Sequence, residues 1–403
     1  MCIRDSLNKV KKPMFWLKSG LFAVGLGMSF VYAIIPPLAR DLGLSEIQAS
    51  FIFSLSAVAW AMTSAPWGRA SDKYGRRNIA ILGYIGYSIS MIILILPIYL
   101  ADKNILSAAF VFPLLILGRT IYGLLGSATR PASFAYIADI TPKSKRTKKF
   151  ARFESNFLLG TLVGPLLGGY LYLISALAPF IFFSILGIVV AMGVFFTLEN
   201  KPMEVSEIPT SKLSRLAPTV WPYLVFASVL SLCSASLLQS IGFYLTDNFN
   251  NLEDITLLIS FTFVLLSIST IVSQNMFTSM FNLNNYKLLI YGCLILTISY
   301  CVMALSDSIA TYFSSIILHG VGLGMVRPAN SSGLSIAQQP EYQGEAAGHL
   351  GSVLPIGHIL TPIVAMPLYI YNSSLLYFAS GILCFILFVF IVLHPIFKYR
   401  YED

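Results

Sequence analysis

Between two long apolar runs lies Pro66–Arg77, PWGRASDKYGRR, with the spacing G-x-x-x-D-x-x-G-R-R over Gly68, Asp72, Gly75, Arg76 and Arg77. It is short, strongly basic and punctuated by glycines, which tolerate the backbone conformations a tight reversal needs. The runs on either side, 46–66 and 78–100, are each long enough to cross a hydrocarbon core about 30 Å thick. A polar reversal between two such runs belongs to a membrane protein. Composition agrees: the chain is 56% hydrophobic and 11% charged, with a mean hydropathy of +0.77, where soluble domains carry about 25% charged residues.

Working outward, apolar blocks predict twelve spans: 14–36, 46–66, 78–100, 107–137, 151–175, 177–198, 219–244, 255–279, 287–305, 309–335, 348–371 and 373–394. Lipid offers no partner for backbone polar groups, so uniform helices are expected. With a cytoplasmic N-terminus, 21 of the 26 Lys and Arg fall on inside segments; outside loops hold only Arg40 and Lys103. That asymmetry places both termini in the cytoplasm. It also makes the net charge of +8 a topology signal, so no nucleic-acid partner is expected. Residues 1–13 form an N-terminal tail without a cleavage site, and 395–403 a C-terminal tail. The opening MCIRDS, Met1–Ser6, resembles the translation of a sequencing-adapter sequence and is set aside, Cys2 included. Cys233, Cys293, Cys301 and Cys384 lie in apolar spans without metal-type spacing and read as small core residues.

One long internal polar segment, 199–218, divides the spans into six and six and reads as a flexible cytoplasmic linker between bundles 14–198 and 219–394. An internal repeat supports this. At an offset of 197 residues Arg130-Pro131-Ala132 falls on Arg327-Pro328-Ala329, Gly160 on Gly357, Pro165 on Pro362 and Leu171-Tyr172 on Leu368-Tyr369. The signature loop has decayed in the second half, where Phe281–Lys287 reads FNLNNYK.

A second motif, Gly160–Gly169, reads GTLVGPLLGG. It sets Gly160, Gly164 and Gly168 on one helix face, where small residues let helices pack backbone to backbone. Pro165 removes a helical hydrogen bond and can kink the span; Gly169 closes the motif. The Pro66–Arg77 stretch resembles the loop between the second and third spans of the major facilitator superfamily. The Gly160–Gly169 stretch resembles the fifth-span motif of its antiporter branches, of which the drug and metabolite:proton antiporters are one. The resemblance runs from the first span to the last. It implies an all-α membrane protein with two pseudo-symmetric six-helix bundles and a substrate site near midplane. In the family the loop's Asp ion-pairs across the two halves and holds the cytoplasmic side shut. The residues matching this latch are Gly68, Asp72, Gly75, Arg76 and Arg77, and Asp72 is placed to approach the helix N-terminus of span eleven. Asp139 and Arg146 in ADITPKSKR, with Pro142, match a second cytoplasmic pattern; Arg152 and Glu154 follow it. Arg119 in LGRTIYG matches an Arg to which the family assigns proton transfer.

Departures from the family pattern matter. Span one carries no acidic residue, and no Asp or Glu lies near midplane anywhere in the chain. The ionisable residues inside spans are Arg119, Arg130, Arg327, His319 and His358. Intramembrane charges usually face a cavity and mark function. Arg130 and Arg327 are candidates for substrate charge, against a role in pinning helix ends or pairing with Asp139 and Glu154. His319 and His358 are candidate proton carriers, against helix packing. Tyr32, Gln239 and Ser240 are candidate cavity walls. A basic midplane favours anionic or zwitterionic substrates over lipophilic cations. No phosphate-binding loop, metal-ligand cluster or catalytic triad is present, so neither an enzyme nor a cofactor is expected. The expected partners are a small-molecule substrate, protons and membrane lipid. The expected protein is a monomeric, multi-pass exporter of a small amphiphilic or anionic compound in a bacterial inner membrane. An organic-anion importer or exchanger of the same fold, and a receptor-like membrane protein that moves no solute, remain as alternatives.

Overall fold

The computed structural model describes residues 2–103, 105, 108–141, 146–199, 214–249, 255–277, 283–339 and 342–398. Among them twelve helices are long and apolar enough to cross a membrane. In the first half these are α1 (Lys12–Asp41), α2 (Glu46–Tyr74), α3 (Arg76–Leu100), α4 (Phe110–Asp139), α5 (Phe153–Ile174) and α6 (Ala178–Thr197). In the second half they are α7 (Trp221–Asn248), α8 (Ile255–Asn275), α9 (Asn285–Ala304), α10 (Ile309–Ile336), α11 (Gly348–Tyr371) and α12 (Ser373–Leu393). The chain divides into two compact units, Met1–Ile208 and Pro209–Asp403. The expected linker 199–218 falls mostly outside the described residues.

Both units use one packing scheme. In the first, α1 packs on α5, α3 on α4 and α6, and α2 on α4. Six helices later, α7 packs on α11, α9 on α10 and α12, and α8 on α10. The repeat read from the sequence is therefore a repeat of helix packing. Local signals recur as well. Ser45 and Ser308 open α2 and α10 with capping boxes closed by Gln48 and Thr311, each satisfying two otherwise orphaned groups at a helix start. Gly43 at φ 77° turns the chain between α1 and α2, and Arg40 pairs with Glu46 across that turn at 2.5 Å.

Three elements differ from uniform spans. First, α2 continues through most of the basic loop to Tyr74. Nothing after Pro66 in that stretch breaks a helix, and its polar side chains suit a helix leaving the bilayer. The reversal falls on Gly75 alone, at φ 93° and ψ 144°. Second, α4 carries a π-helical turn at Tyr122–Gly126, a feature concentrated at functional sites. Third, α11 is discontinuous: Gln343–Val353 ends before Pro355, a short helix Ile356–Leu360 follows, and a π-turn occupies Thr361–Ala365.

Candidate functional site

The α2–α3 reversal is built around Arg76. Arg76 is 7% exposed; burying its charge demands partners, and three are present. Nη1 donates to Ser71 Oγ at 2.7 Å, Nε donates to Asp139 Oδ2 at 3.1 Å, and Asp72 forms an ion pair one turn back. Ser71 Oγ in turn donates to the Gly68 carbonyl at 2.7 Å. Arg76 thus ties the reversal to the C-terminal end of α4. Asp72, which the motif puts at the centre, has a side chain 51% exposed. Arg77 turns the other way and lies over the Phe195 ring of α6 at 5.2 Å. Arg146 opens the helical extension of α5, but its side chain, like those of Pro142 and Arg152, lies outside the described residues. Gly75→Ala is expected to destabilise the protein by about 1–3 kcal/mol, because its conformation is essentially glycine-only. Gly68→Ala should be neutral, since the nearest atom to an added methyl is Pro131 Cβ at 3.8 Å. Paired thermal unfolding in detergent measures the difference.

The glycine motif forms a seam with α1. A methyl at Gly160 would sit 2.2 Å from the Phe22 carbonyl, at Gly164 2.2 Å from the Leu26 carbonyl, and at Gly168 2.1 Å from the Phe30 ring. Both helices therefore contribute every fourth residue, and the backbones touch. Pro165 and Gly169 are buried beside this seam. The repeat partner Gly357 makes the same approach in the second unit, with an added methyl 2.2 Å from the Ser231 carbonyl.

Arg119 is 1% exposed, and its guanidinium lies 4.8 Å from the Tyr122 ring and 5.7 Å from the Phe53 ring. Tyr32 stacks on Phe53 at 4.4 Å. The guanidinium therefore occupies an aromatic box drawn from α2 and α4, with Tyr32 of α1 behind it. Its Nε and Nη1 have no hydrogen-bond partner. Cation–π attraction offsets part of the burial, by about 2 kcal/mol when desolvated, and leaves two donors unmet. Phe53 and Tyr122 were not singled out in the sequence. Tyr122, one turn after Arg119, was the available signal.

The remaining candidates separate. Arg130 pairs with Glu154 and stands over the Phe157 ring at 4.7 Å, so the structure gives it a carboxylate within its own unit. Arg327 is exposed and makes no hydrogen bond or ion pair with any described residue. His319 is buried edge-on to Tyr300 at 5.0 Å, with Nδ1 unpartnered. His358 sits just after the break in α11, where its Nδ1 lies 3.2 Å from Gln239 Nε2 of α7. Ser240 Oγ lies 3.1 Å from the Tyr377 hydroxyl. Gln239 and His358 are therefore brought together, while His319 lies against Tyr300 of α9.

Twelve apolar helices in two equivalent six-helix units, with a glycine seam and buried cations, define a multi-pass membrane protein of transporter architecture. A family model described as Major Facilitator Superfamily matches residues 19–348, and the chain belongs to that superfamily. An uncharacterised MFS-type transporter of Methanocaldococcus jannaschii is 25% identical over 366 residues, covering 87% of this chain and 89% of that protein. The quinolone resistance protein NorA of Staphylococcus aureus is 23% identical over 382 residues, covering 93% of this chain and 94% of that one. Among solved structures, a bacterial homologue of the human lysosomal transporter Spinster superposes with a TM-score of 0.76 at 16% identity, over 95% of this chain and 96% of that one. The human organic anion transporter MFSD10 gives 0.69 at 17% identity, over 94% and 99%.

Proposed function

We propose that this transporter is a proton-coupled antiporter that exports a small amphiphilic or anionic compound from a bacterial cell. It works by alternating access in the inner membrane as a monomer, with both termini cytoplasmic. The observation that carries the reading is Arg119: a buried cation in an aromatic box, with two donors unmet and a π-turn beside it. Such a group changes its surroundings at high energetic stake when a proton or solute arrives. Relatives named for quinolone resistance across 93% of the chain support export of a small amphiphile. The reversal at Gly68, Asp72, Gly75, Arg76 and Arg77, with Asp139 paired to Arg76 and Arg146 and Glu154 as further members, would serve as the cytoplasmic latch. The seam at Gly160, Gly164 and Gly168 would carry the moving helices in close contact. His319 and His358 are secondary candidates for the coupled proton, and Gln239 and Tyr32 for the cavity wall.

Inverted membrane vesicles containing the protein test this. After acidification of the lumen, an added fluoroquinolone or aromatic carboxylate should partly collapse the pH gradient, and vesicles lacking the protein should not respond. A gradient indifferent to every added solute would remove the antiport reading. A proton-independent organic-anion exchanger is the second reading, favoured by Arg327, which pairs with no described residue; it predicts counterflow that ignores pH.

A further inference from the structure

The internal repeat places Arg130 and Arg327 at equivalent positions, yet their surroundings differ in one unit only. Arg130 has the Glu154 carboxylate and the Phe157 ring. At the same offset of 197, Glu154 falls on Gly351 and Phe157 on Leu354. A methyl built on Gly351 meets nothing within 4 Å, and Leu354 is exposed. At the repeat-equivalent positions the second unit therefore has neither the carboxylate nor the ring, and the position matching Glu154 opens onto free space. The segment carrying Gly351, Gln343–Val353, packs on α10, which carries Arg327.

The side of α10 that Arg327 occupies also matters. Ala310, Ser314 and Ile317 form an exposed stripe along this helix. Arg327 lies about a quarter-turn round from that stripe, at 3.6 residues per turn. This puts it between the side that holds α7, where Asn330 Nδ2 donates to the Tyr223 carbonyl at 3.2 Å, and the side that holds α8, where Gly320 and Gly324 meet Ser269 and Thr270. Among the described residues the titratable groups that act on Arg327 are Tyr300 and His319, and neither brings a carboxylate; the Glu345 side chain lies outside the described residues. An unpaired guanidinium inside a span is expensive, and a planar fork of donors suits a carboxylate, phosphate or sulfonate.

We propose that Arg327, with the space over Gly351, is the site that takes the anionic group of the transported solute, in the place that Glu154 fills in the first unit. The proposal rests on the transporter reading and names its substrate class: small organic anions. It assigns the role to Arg327 alone of the repeated pair.

The test uses purified full-length protein in detergent and thermal-shift titrations with 1-naphthoate, 1-naphthyl phosphate and 1-naphthalenesulfonate, with tetraphenylphosphonium as the cationic counterpart. Ligand binding to the folded state raises the unfolding midpoint. At least one anion should stabilise the wild type. Gly351→Glu, which restores the missing carboxylate in open space, should weaken that binding at least tenfold. Gly351→Gln, which fills the same space without the charge, should weaken binding clearly less than Gly351→Glu. Arg327→Ala should lose the anion's stabilisation altogether, and the two Gly351 variants keep the test decisive should it fail to fold. Stabilisation by tetraphenylphosphonium alone, by no anion, or equally in Gly351→Glu would overturn the proposal. Anion binding that follows the pattern without any pH-driven flux would instead overturn the export reading and leave the site standing.

Discussion

Gly164→Val is expected to abolish transport and to lower the unfolding midpoint more than any other single change to the glycine seam. The first added carbon would stand 2.2 Å from the Leu26 carbonyl oxygen and 2.3 Å from Ser29 Oγ. Ser29 Oγ already donates to the Gly25 carbonyl at 2.9 Å, so it cannot swing aside without losing that bond. The Leu26 carbonyl belongs to a helix and cannot move alone. Relief requires α1 and α5 to separate along the seam. Overpacking of a well-packed core costs about 1–3 kcal/mol where side chains and backbone can shift, and a clash with a helix backbone that cannot move alone should lie at or above the top of that range. Gly348→Val, where nothing lies within 4 Å, is the matched control. Size-exclusion profiles and thermal midpoints of the two variants measure the effect. Equal midpoints would mean that the seam is not the tight contact described.

Arg119→Gln is expected to cut pH-driven flux by at least a hundredfold while leaving a folded protein. Glutamine keeps a polar group in the box but removes the charge held over Tyr122 and Phe53. Arg119→Lys keeps the charge and loses the planar stacking, and the two are not interchangeable at a stacked site, so it should be impaired less than Arg119→Gln. The informative readout is a split: flux driven by a pH gradient should fall while solute counterflow at equal pH persists. Loss of both in parallel with stability would assign Arg119 a structural role only.

Much of the fold was legible because bilayer physics is a coarse constraint. Runs of about twenty apolar residues must be helices, and the spans read from composition coincide with α1–α12 apart from their ends. The repeat was legible from one offset shared by Arg130-Pro131-Ala132 and Arg327-Pro328-Ala329, by Gly160 and Gly357 and by Pro165 and Pro362, and the glycine seam from its four-residue spacing. What the sequence concealed were choices between partners. Asp72 stands out in the motif, yet Arg76 is the buried hub, because Asp139 arrives from α4 some sixty residues away. The π-turn at Tyr122–Gly126 carries Gly123 and Gly126, but glycines at similar spacing also sit in regular α-helix at Gly160, Gly164 and Gly168, so they do not mark the turn. Arg130 and Arg327 look alike in sequence, and only the observed Glu154 contact makes the Glu154-to-Gly351 replacement meaningful.

The most direct test of the account is solute flux in liposomes reconstituted with the purified protein under an imposed pH gradient. Radiolabelled 1-naphthoate and a fluoroquinolone serve as solutes, with Arg119→Gln as the negative control. The account predicts that at least one solute accumulates on the acidic side, that the accumulation disappears when a protonophore collapses the gradient, and that Arg119→Gln shows none. Flux that proceeds equally with and without the gradient, or in Arg119→Gln as in wild type, would contradict proton-coupled antiport through this chain.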